Sequence, residues 1–169
     1  MATFVALLRG NQLELAVLHD YAGKPHQKLE GLVRDKLIRE RQVLNYAEFR
    51  SGASKAKASK SSPPAPVDTD VEDMLSPSLY LQLFNAAFSK ELKSRTVTEA
   101  DLPAGNRIID RLTRFLMEQK ITLRSDGGYN HSRVANHLAT HPVLADKIDK
   151  ETLDRFQRLF ETINPMFST

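Results

Sequence analysis

The sequence predicts an α/β fold, consisting of a βαβ unit within residues 1–50 and a C-terminal α-helical extension. Three observations support this prediction. A short apolar run precedes a stretch with apolar residues at helical spacing, and a second strand-like run follows that stretch. A segment rich in Ser, Ala, Lys and Pro then separates this unit from the rest of the chain. Beyond that segment the apolar residues recur in several further helical patterns.

The βαβ unit is built from three elements. Residues 13–19 (LELAVLH) form an apolar run whose length suits a strand buried on both faces, and a turn is predicted at 21–25. Residues 42–49 return to a strand-like pattern. The order strand, helix, strand predicts two parallel strands joined by a right-handed crossover. The helix between them is predicted to end near residue 38, with apolar residues Leu29, Leu32, Val33, Leu37 and Ile38.

Two parallel strands form a marginal sheet in water, since such strands normally lie inside a larger sheet. The chain begins almost directly on the apolar residues FVALL. We therefore expect that an N-terminal part of the α/β domain is missing, or that partner strands come from another copy of the chain.

Residues 51–66 (SGASKAKASKSSPPAP) contain no large apolar side chain, which predicts a flexible linker. Its lysines, Lys55, Lys57 and Lys60, could contact a phosphate backbone, but a solvated, flexible tether is the favoured explanation for them. The predicted organisation is therefore a βαβ segment at 1–50, a linker at 51–66, and an acidic element with a helical region at 67–169.

The helical region is predicted to contain four helices. Ser76 and Pro77 stand where an N-cap and a first-turn proline belong. The second helix is expected to begin after residue 106. The third is expected to run from 133 to 140, with Pro142 marking its end, and the fourth from 150 to 163. The apolar faces are predicted to carry Leu79, Leu83, Phe84, Ala87 and Phe88 in the first helix, Ile108, Ile109, Leu112, Phe115 and Leu116 in the second, and Leu153, Phe156, Leu159, Phe160 and Ile163 in the last.

Composition excludes several classes of protein. The 169 residues include no cysteine, which rules out disulfides, thiolate catalysis and cysteine-ligated zinc. Arg9, Asn11, Gln12 and Glu14 interrupt the N-terminal apolar stretch, so it predicts neither a membrane span nor a signal peptide, and a cytoplasmic location is expected. The net charge of +3 permits nucleic-acid binding without requiring it.

Acidic side chains are the main candidates for chemistry. Asp20 lies at the predicted C-terminal end of the first strand, where open α/β sheets bind ligands. Asp70, Glu72 and Asp73 follow the linker; if that stretch is extended, Asp70 and Glu72 share a face. Carboxylates gathered at a strand end would suit Mg²⁺ or Mn²⁺. An ordinary strand-end aspartate and an acidic turn before a helix are the alternative.

Two runs in the chain resemble a known family. FVALLRGNQLELAVLHDYAGKPHQKLEGLVRDKLIRERQVLNYAEF, followed by TDVEDMLSPSLYLQLFNAAF, is similar to the C-terminal TOPRIM region of the overcoming-lysogenization-defect family of ATP-dependent endonucleases and related AAA-type ATPases. The matching positions are Asp20, the run 70–73, and the helix residues Tyr80, Asn85, Ala87 and Phe88. The resemblance implies a TOPRIM-like fold and an Mg- or Mn-dependent nuclease of DNA processing or phage defence. It further implies Asp20 and Glu72 as catalytic residues, and Asp20, Asp70, Glu72 and Asp73 as metal ligands.

The chain departs from the family pattern at several points. The family has two acids separated by one residue at the first motif, whereas here Asp20 stands alone in the run His19-Asp20-Tyr21-Ala22. The upstream glutamate of the family has no counterpart, and the sequence contains no G-x-x-x-x-G-K-[ST] phosphate loop. We therefore expect a fragment that is inactive alone and that reaches DNA through a larger ATPase-nuclease.

Histidines offer a second candidate site. His137 and His141 are four residues apart, and His131 precedes them by six. The segment lacks the H-E-x-x-H motif and an acidic residue to complete a metal site, so surface or capping roles are favoured. His19, at a strand end, is expected to be packed or hydrogen-bonded rather than catalytic.

The competing hypothesis is a non-catalytic binding or oligomerisation module. In that interpretation the apolar helices, especially those at 107–119 and 150–163, pack against an ATPase-domain partner or a second copy of the chain. A truncated sheet with an exposed edge would also favour a homo-oligomer.

Overall fold

The computed structural model describes residues 5, 14–24, 26–50, 66–125 and 127–167. These residues form a mixed α/β structure that is mostly helical and divides into two compact units. The first unit contains the described residues of Met1–Met74 and Asp154–Thr169, and the second contains those of Leu75–Leu153. None of the helices in the described ranges combines the length and apolar character that crossing a bilayer requires. The predicted linker at 51–66 lies outside the described residues except for Pro66.

The first unit contains a two-stranded parallel sheet, as the βαβ pattern predicted. Strand β1 (Val17–His19) pairs with β2 (Val43–Asn45), and Leu18 lies opposite Leu44 at the centre of the register. Both strands are shorter than expected. The predicted strand at 42–49 is wrong beyond Asn45, because the chain turns there into helix α2 (Ala47–Arg50).

Local hydrogen bonds explain why β2 stops. The Glu48 carboxylate accepts hydrogen bonds from the Asn45 backbone N–H, at 3.2 Å, and from the Asn45 side-chain amide, at 2.9 Å. The Tyr46 carbonyl accepts from the backbone N–H groups of Phe49 and Arg50. These bonds satisfy backbone groups at the helix start and compete with continued strand pairing.

Helix α1 (Gln27–Arg34) connects the two strands and buries Leu29 and Leu32 against a core that also includes Val5. It ends four residues before the predicted end at 38, because Lys36 adopts a left-handed backbone conformation with φ of 57°. The backbone N–H of Leu37 and the backbone N–H of Ile38 then both donate to the Leu32 carbonyl. This turn returns Ile38 to the same core, where it is buried.

Helix α6 (Lys150–Ile163) has the predicted bounds, and from Asp154 onward it belongs to the first unit. Its Leu159 packs with Leu44, Phe49 and Met74 in the second core of that unit. The predicted apolar face is only partly covered: Leu153 and Phe160 are each 54% exposed in the described structure.

The second unit is formed by three α-helices, α3 (Pro77–Ala87), α4 (Ile108–Glu118) and α5 (His131–Thr140). The predicted cap of α3 is confirmed, since the Ser76 hydroxyl oxygen accepts from the Leu79 backbone N–H at 3.3 Å. Helix α5 begins two residues before the predicted start at 133. The predicted inward residues of α3 and α4 are buried except Ile109, which is partly buried, in a core completed by Leu92, Val97, Leu102, Tyr129 and Val134.

The buried face of α4 corrects one expectation. Its four core residues are at most 4% exposed, because α3 and the segment around Tyr129 cover them within the same unit. The prediction that the helix at 107–119 offers an apolar face to a partner is therefore wrong. Short 3₁₀ helices connect the elements of both units, at Glu40–Gln42, Val71–Met74, Glu99–Asp101, Pro142–Lys147 and Asn164–Met166.

Candidate functional site

The candidate site lies in the first unit, at the edge where both strands end. Asp20 directly follows β1 and is exposed, and Tyr46 directly follows β2. Because the strands are parallel and in register, their carboxyl ends meet at one edge of the sheet. The Tyr46 backbone N–H extends the ladder by donating to the His19 carbonyl at 3.2 Å.

The third segment of the site is brought to this edge by a backbone bridge. Tyr21 and Thr69 exchange two backbone hydrogen bonds of 2.9 Å each, as an antiparallel pair. Asp70 follows Thr69 directly, and the next residues form the 3₁₀ helix Val71–Met74. The interpretation of 70–73 as an extended strand is therefore wrong, because the chain turns immediately after the bridge.

Electrostatics show that the four predicted acidic residues lie close enough to influence one another. Burial raises the pKa of the Glu72 carboxyl, and the carboxylates of Asp70, Asp20 and Asp73 raise it further, against a backbone hydrogen bond that lowers it. We call these four residues the acidic edge. Burial also raises the pKa of the Tyr46 phenol, with added contributions from Asp20 and Glu72.

Asp70 and Asp73 are the buried members of the acidic edge, each 4% exposed. Oδ2 of Asp73 accepts a hydrogen bond of 3.0 Å from the Asp70 backbone N–H. The same oxygen lies 3.8 Å from Nη1 of Arg50. Since a buried carboxylate is costly without a partner, this pairing gives Asp73 a structural role at the start of the 3₁₀ helix.

Two arginines support the acidic edge, and neither was singled out from the sequence. Arg50, at the end of α2, donates to the Asp68 carbonyl at 3.1 Å. Arg155, on α6, is 8% exposed and donates from Nε to the Arg50 carbonyl at 3.1 Å and from Nη1 to the Asp73 carbonyl at 3.2 Å. We call these two residues the arginine clamp. Arg155 carried no local signal, because its partners are 105 and 82 positions away in the chain.

The donor set of the acidic edge fits a weakly held cation better than a caged one. Across the described ranges, no three His, Asp or Glu side chains are arranged to hold a metal ion together. Asp20, Asp70 and Glu72 nevertheless offer hard carboxylate oxygens at one edge. Mg²⁺ commonly binds proteins through one or two carboxylates while keeping several waters. Such an ion, when bound, would polarise a phosphate oxygen or activate water.

Two of the histidines are hydrogen-bonded as the sequence favoured, whereas His131 is half-buried rather than on the surface. Nδ1 of His19 is hydrogen-bonded to the Asp20 carbonyl at 2.6 Å. His141 is the C-cap residue of α5, and its Nδ1 lies 2.9 Å from the His137 carbonyl oxygen. His131 is half-buried beside the ring of Tyr129, with a centroid distance of 4.7 Å, and burial lowers its pKa.

Comparison of the chain with protein-family models, with curated proteins and with solved structures found no match. The TOPRIM resemblance therefore remains a prediction based on the residues quoted for it.

Proposed function

We propose that this chain carries the acidic edge of a TOPRIM-type, Mg²⁺- or Mn²⁺-dependent DNA-processing nuclease, and that the chain alone does not cleave DNA. One observation carries the proposal: two separate segments, the one after β1 and the one after the Tyr21–Thr69 bridge, bring Asp20, Asp70 and Glu72 to the carboxyl end of a parallel sheet. That edge is where open α/β folds gather ligands and catalytic carboxylates.

The proposed inactivity follows from the first motif, where the family pattern has two acids and this chain has Asp20 alone. A two-metal phosphodiester site holds its ions about 3.5–4 Å apart and needs ligands for both. Asp73 is engaged with Arg50 and with the Asp70 backbone. The acidic edge therefore suits a single, partly hydrated ion, with an affinity on the order of millimolar.

The proposal includes the setting of the site. In it, an ATPase-domain partner or a second copy of the chain supplies the missing ligands, and DNA reaches the edge through that larger protein. The protein works in the cytoplasm in this scheme.

A Mn²⁺ titration followed by NMR tests the proposal, because paramagnetic broadening reports which amides lie near the ion. We expect selective broadening around Asp20, Tyr46 and residues 69–73. Asp20→Ala and Glu72→Gln should each reduce it. Glu118→Gln, an exposed position at the end of α4 in the other unit, is the matched control and should leave it unchanged.

A cleavage assay on plasmid and single-stranded DNA with Mn²⁺ completes the test. We expect no cleavage above background from the isolated chain. Robust cleavage abolished by Asp20→Ala would show a complete site and contradict the proposed inactivity. Uniform broadening across the protein, with no preference for the acidic edge, would contradict the metal site itself.

One observation favours the alternative of a non-catalytic assembly module. Helix α6 exposes Phe160, whose ring stacks on that of Phe156 with a centroid distance of 6.5 Å. Exposed aromatic side chains of this size are typical of protein interfaces. Sedimentation of the wild type beside Phe160→Ser distinguishes the two functions. An assembly module predicts that the wild type forms a complex which Phe160→Ser dissociates, whereas the nuclease proposal does not require this.

A further inference from the structure

We propose that His137 and His141, at the C-terminal end of α5, form a surface site for a borderline divalent transition metal such as Zn²⁺, Ni²⁺ or Cu²⁺. Imidazole nitrogen is a ligand that all three ions favour, whereas Mg²⁺ favours carboxylate and water oxygens. The site lies in the second unit and does not depend on the function proposed for the acidic edge.

The two imidazole rings are neighbours and are stacked on one another. Helix α5 ends at Thr140, and His141 leaves the helix with φ of −128° and ψ of 73°. The ring centroids of His137 and His141 are 4.1 Å apart, and their planes differ by 29°. Two Zn–N bonds of about 2.0–2.1 Å at a tetrahedral angle separate their nitrogens by roughly 3.4 Å, and each lone pair lies in the plane of its ring. Because the rings are stacked, sharing one ion requires the ring of His137 to rotate about its side-chain bonds, which its partly exposed position allows.

The hydrogen bonds of His141 determine which of its nitrogens can bind a metal. Nδ1 lies 2.9 Å from the His137 carbonyl oxygen and 3.0 Å from the Thr140 hydroxyl oxygen. Thr140 donates its own proton to the Asn136 carbonyl at 2.8 Å, so it accepts from His141. Because both neighbours are acceptors, Nδ1 carries the proton and the lone pair of the neutral ring is on Nε2.

This arrangement is the one that metal-binding histidines commonly have. A ligating histidine usually donates its second ring N–H to a backbone carbonyl or a carboxylate, which fixes the tautomer and orients the ring. Here the bond that caps α5 performs that task for His141.

The site is open rather than closed. No third His, Asp or Glu joins the pair in the part of the chain that the structure describes. Water would occupy the remaining positions, as it does where a metal has fewer than four protein ligands. We therefore expect exchangeable binding that is weaker than that of a structural four-ligand zinc site.

Calorimetric titration of the full chain with ZnCl₂ and NiCl₂ at neutral pH tests the site. The wild type should bind one equivalent. His137→Ala and His141→Ala should each weaken binding by at least about tenfold, because one ligand no longer chelates with the other. His26→Gln is the matched control, since His26 is exposed and belongs to the other histidine pair, whose ring centroids are 6.1 Å apart. The control should bind like the wild type.

Imidazole NMR of the wild-type chain gives a readout that does not depend on any variant folding. Without metal, long-range ¹H–¹⁵N spectra should show His141 protonated at Nδ1. Addition of Zn²⁺ should shift Nε2 of His141 and the ring signals of His137, whereas Mg²⁺ should shift neither. Absence of a Zn²⁺-dependent shift in these two rings, or binding that His26→Gln abolishes and His141→Ala leaves intact, would overturn the proposal.

Discussion

Replacing Arg155 by methionine tests whether the C-terminal helix holds the acidic edge in place. The guanidinium of Arg155 donates to two carbonyls, those of Arg50 and Asp73, in a position where only 8% of the residue is exposed. Methionine retains much of the apolar stem but cannot donate. The substitution therefore removes the donors and leaves the packing largely intact.

The expected magnitude follows from the two carbonyls. A buried acceptor that loses its donor costs about 1–3 kcal/mol, so two of them cost about 2–6 kcal/mol. Typical domains have an unfolding free energy of about 5–15 kcal/mol, so this loss is a large fraction of the stability of the first unit. Arg155→Lys should be intermediate, because an ammonium lacks the planar fork that reaches both carbonyls.

Urea unfolding combined with hydrogen-exchange mass spectrometry measures the effect. We expect Arg155→Met to lower the unfolding midpoint and to increase exchange in peptides that cover residues 43–50 and 69–74. Peptides from α3 and α4 should keep their protection, since those helices have their own core. Gln157→Met, at an exposed position on the same helix, is the control. An unchanged midpoint with unchanged protection at 69–74 would refute the arginine clamp.

Two further predictions concern the second core and the acidic edge. Phe84→Ala should destabilise the second unit by about 3–5 kcal/mol in urea unfolding, because the ring of Phe84 is fully buried. Its centroid lies 5.1 Å from that of Phe88 and 5.0 Å from that of Tyr129. A loss under about 1 kcal/mol would contradict this packing. For Glu72 the folded-state pKa is raised, so the native state binds that proton more tightly than the unfolded state does. The stability that this tighter proton binding gives to the folded state is fully present below the ordinary pKa of 4.5, and it is lost as the pH rises through the folded-state pKa. Glu72→Gln should therefore be more stable than the wild type at neutral pH, by a difference that shrinks in acid, and a difference that grows in acid would show the opposite sign of coupling.

The error in the second strand illustrates where local pattern fails. Val43, Leu44, Tyr46 and Phe49 are compatible with a strand or with a short helix, since apolar runs of this length do not distinguish the two. Phe49 is buried in either case. The helix is favoured by the Glu48 carboxylate, which accepts a hydrogen bond from the Asn45 backbone N–H at the start of α2. A side-chain bond of this kind leaves no periodic signal in the sequence.

The acidic edge was predictable in its members but not in their roles. Asp20 was assigned to a strand end by pattern, and the parallel order of strands implied that the next connecting segments would meet it there. Nothing in the run 70–73 indicated that Asp73 would pair with Arg50, or that Glu72 would lie close enough to Asp20 for that carboxylate to raise its pKa. These different positions depend on the Tyr21–Thr69 bridge and on the hydrogen bonds of Arg155, which join distant parts of the chain.

By itself, the sequence determined the elements whose signals are local. The N-cap and first-turn proline at Ser76 and Pro77, and the helical spacing of α4 and α6, correspond to helices in the structure because capping and amphipathic periodicity act within a few turns. Only the tertiary structure decided that most of α6 joins the first unit, that the predicted apolar residues of α4 lie in the core of the second unit, and that Asp73 pairs with Arg50. The physical reason is that burial and ion pairing depend on which surfaces come into contact on folding. Arg155 bonds to residues 105 and 82 positions away, and no local sequence pattern predicts a contact over such a separation.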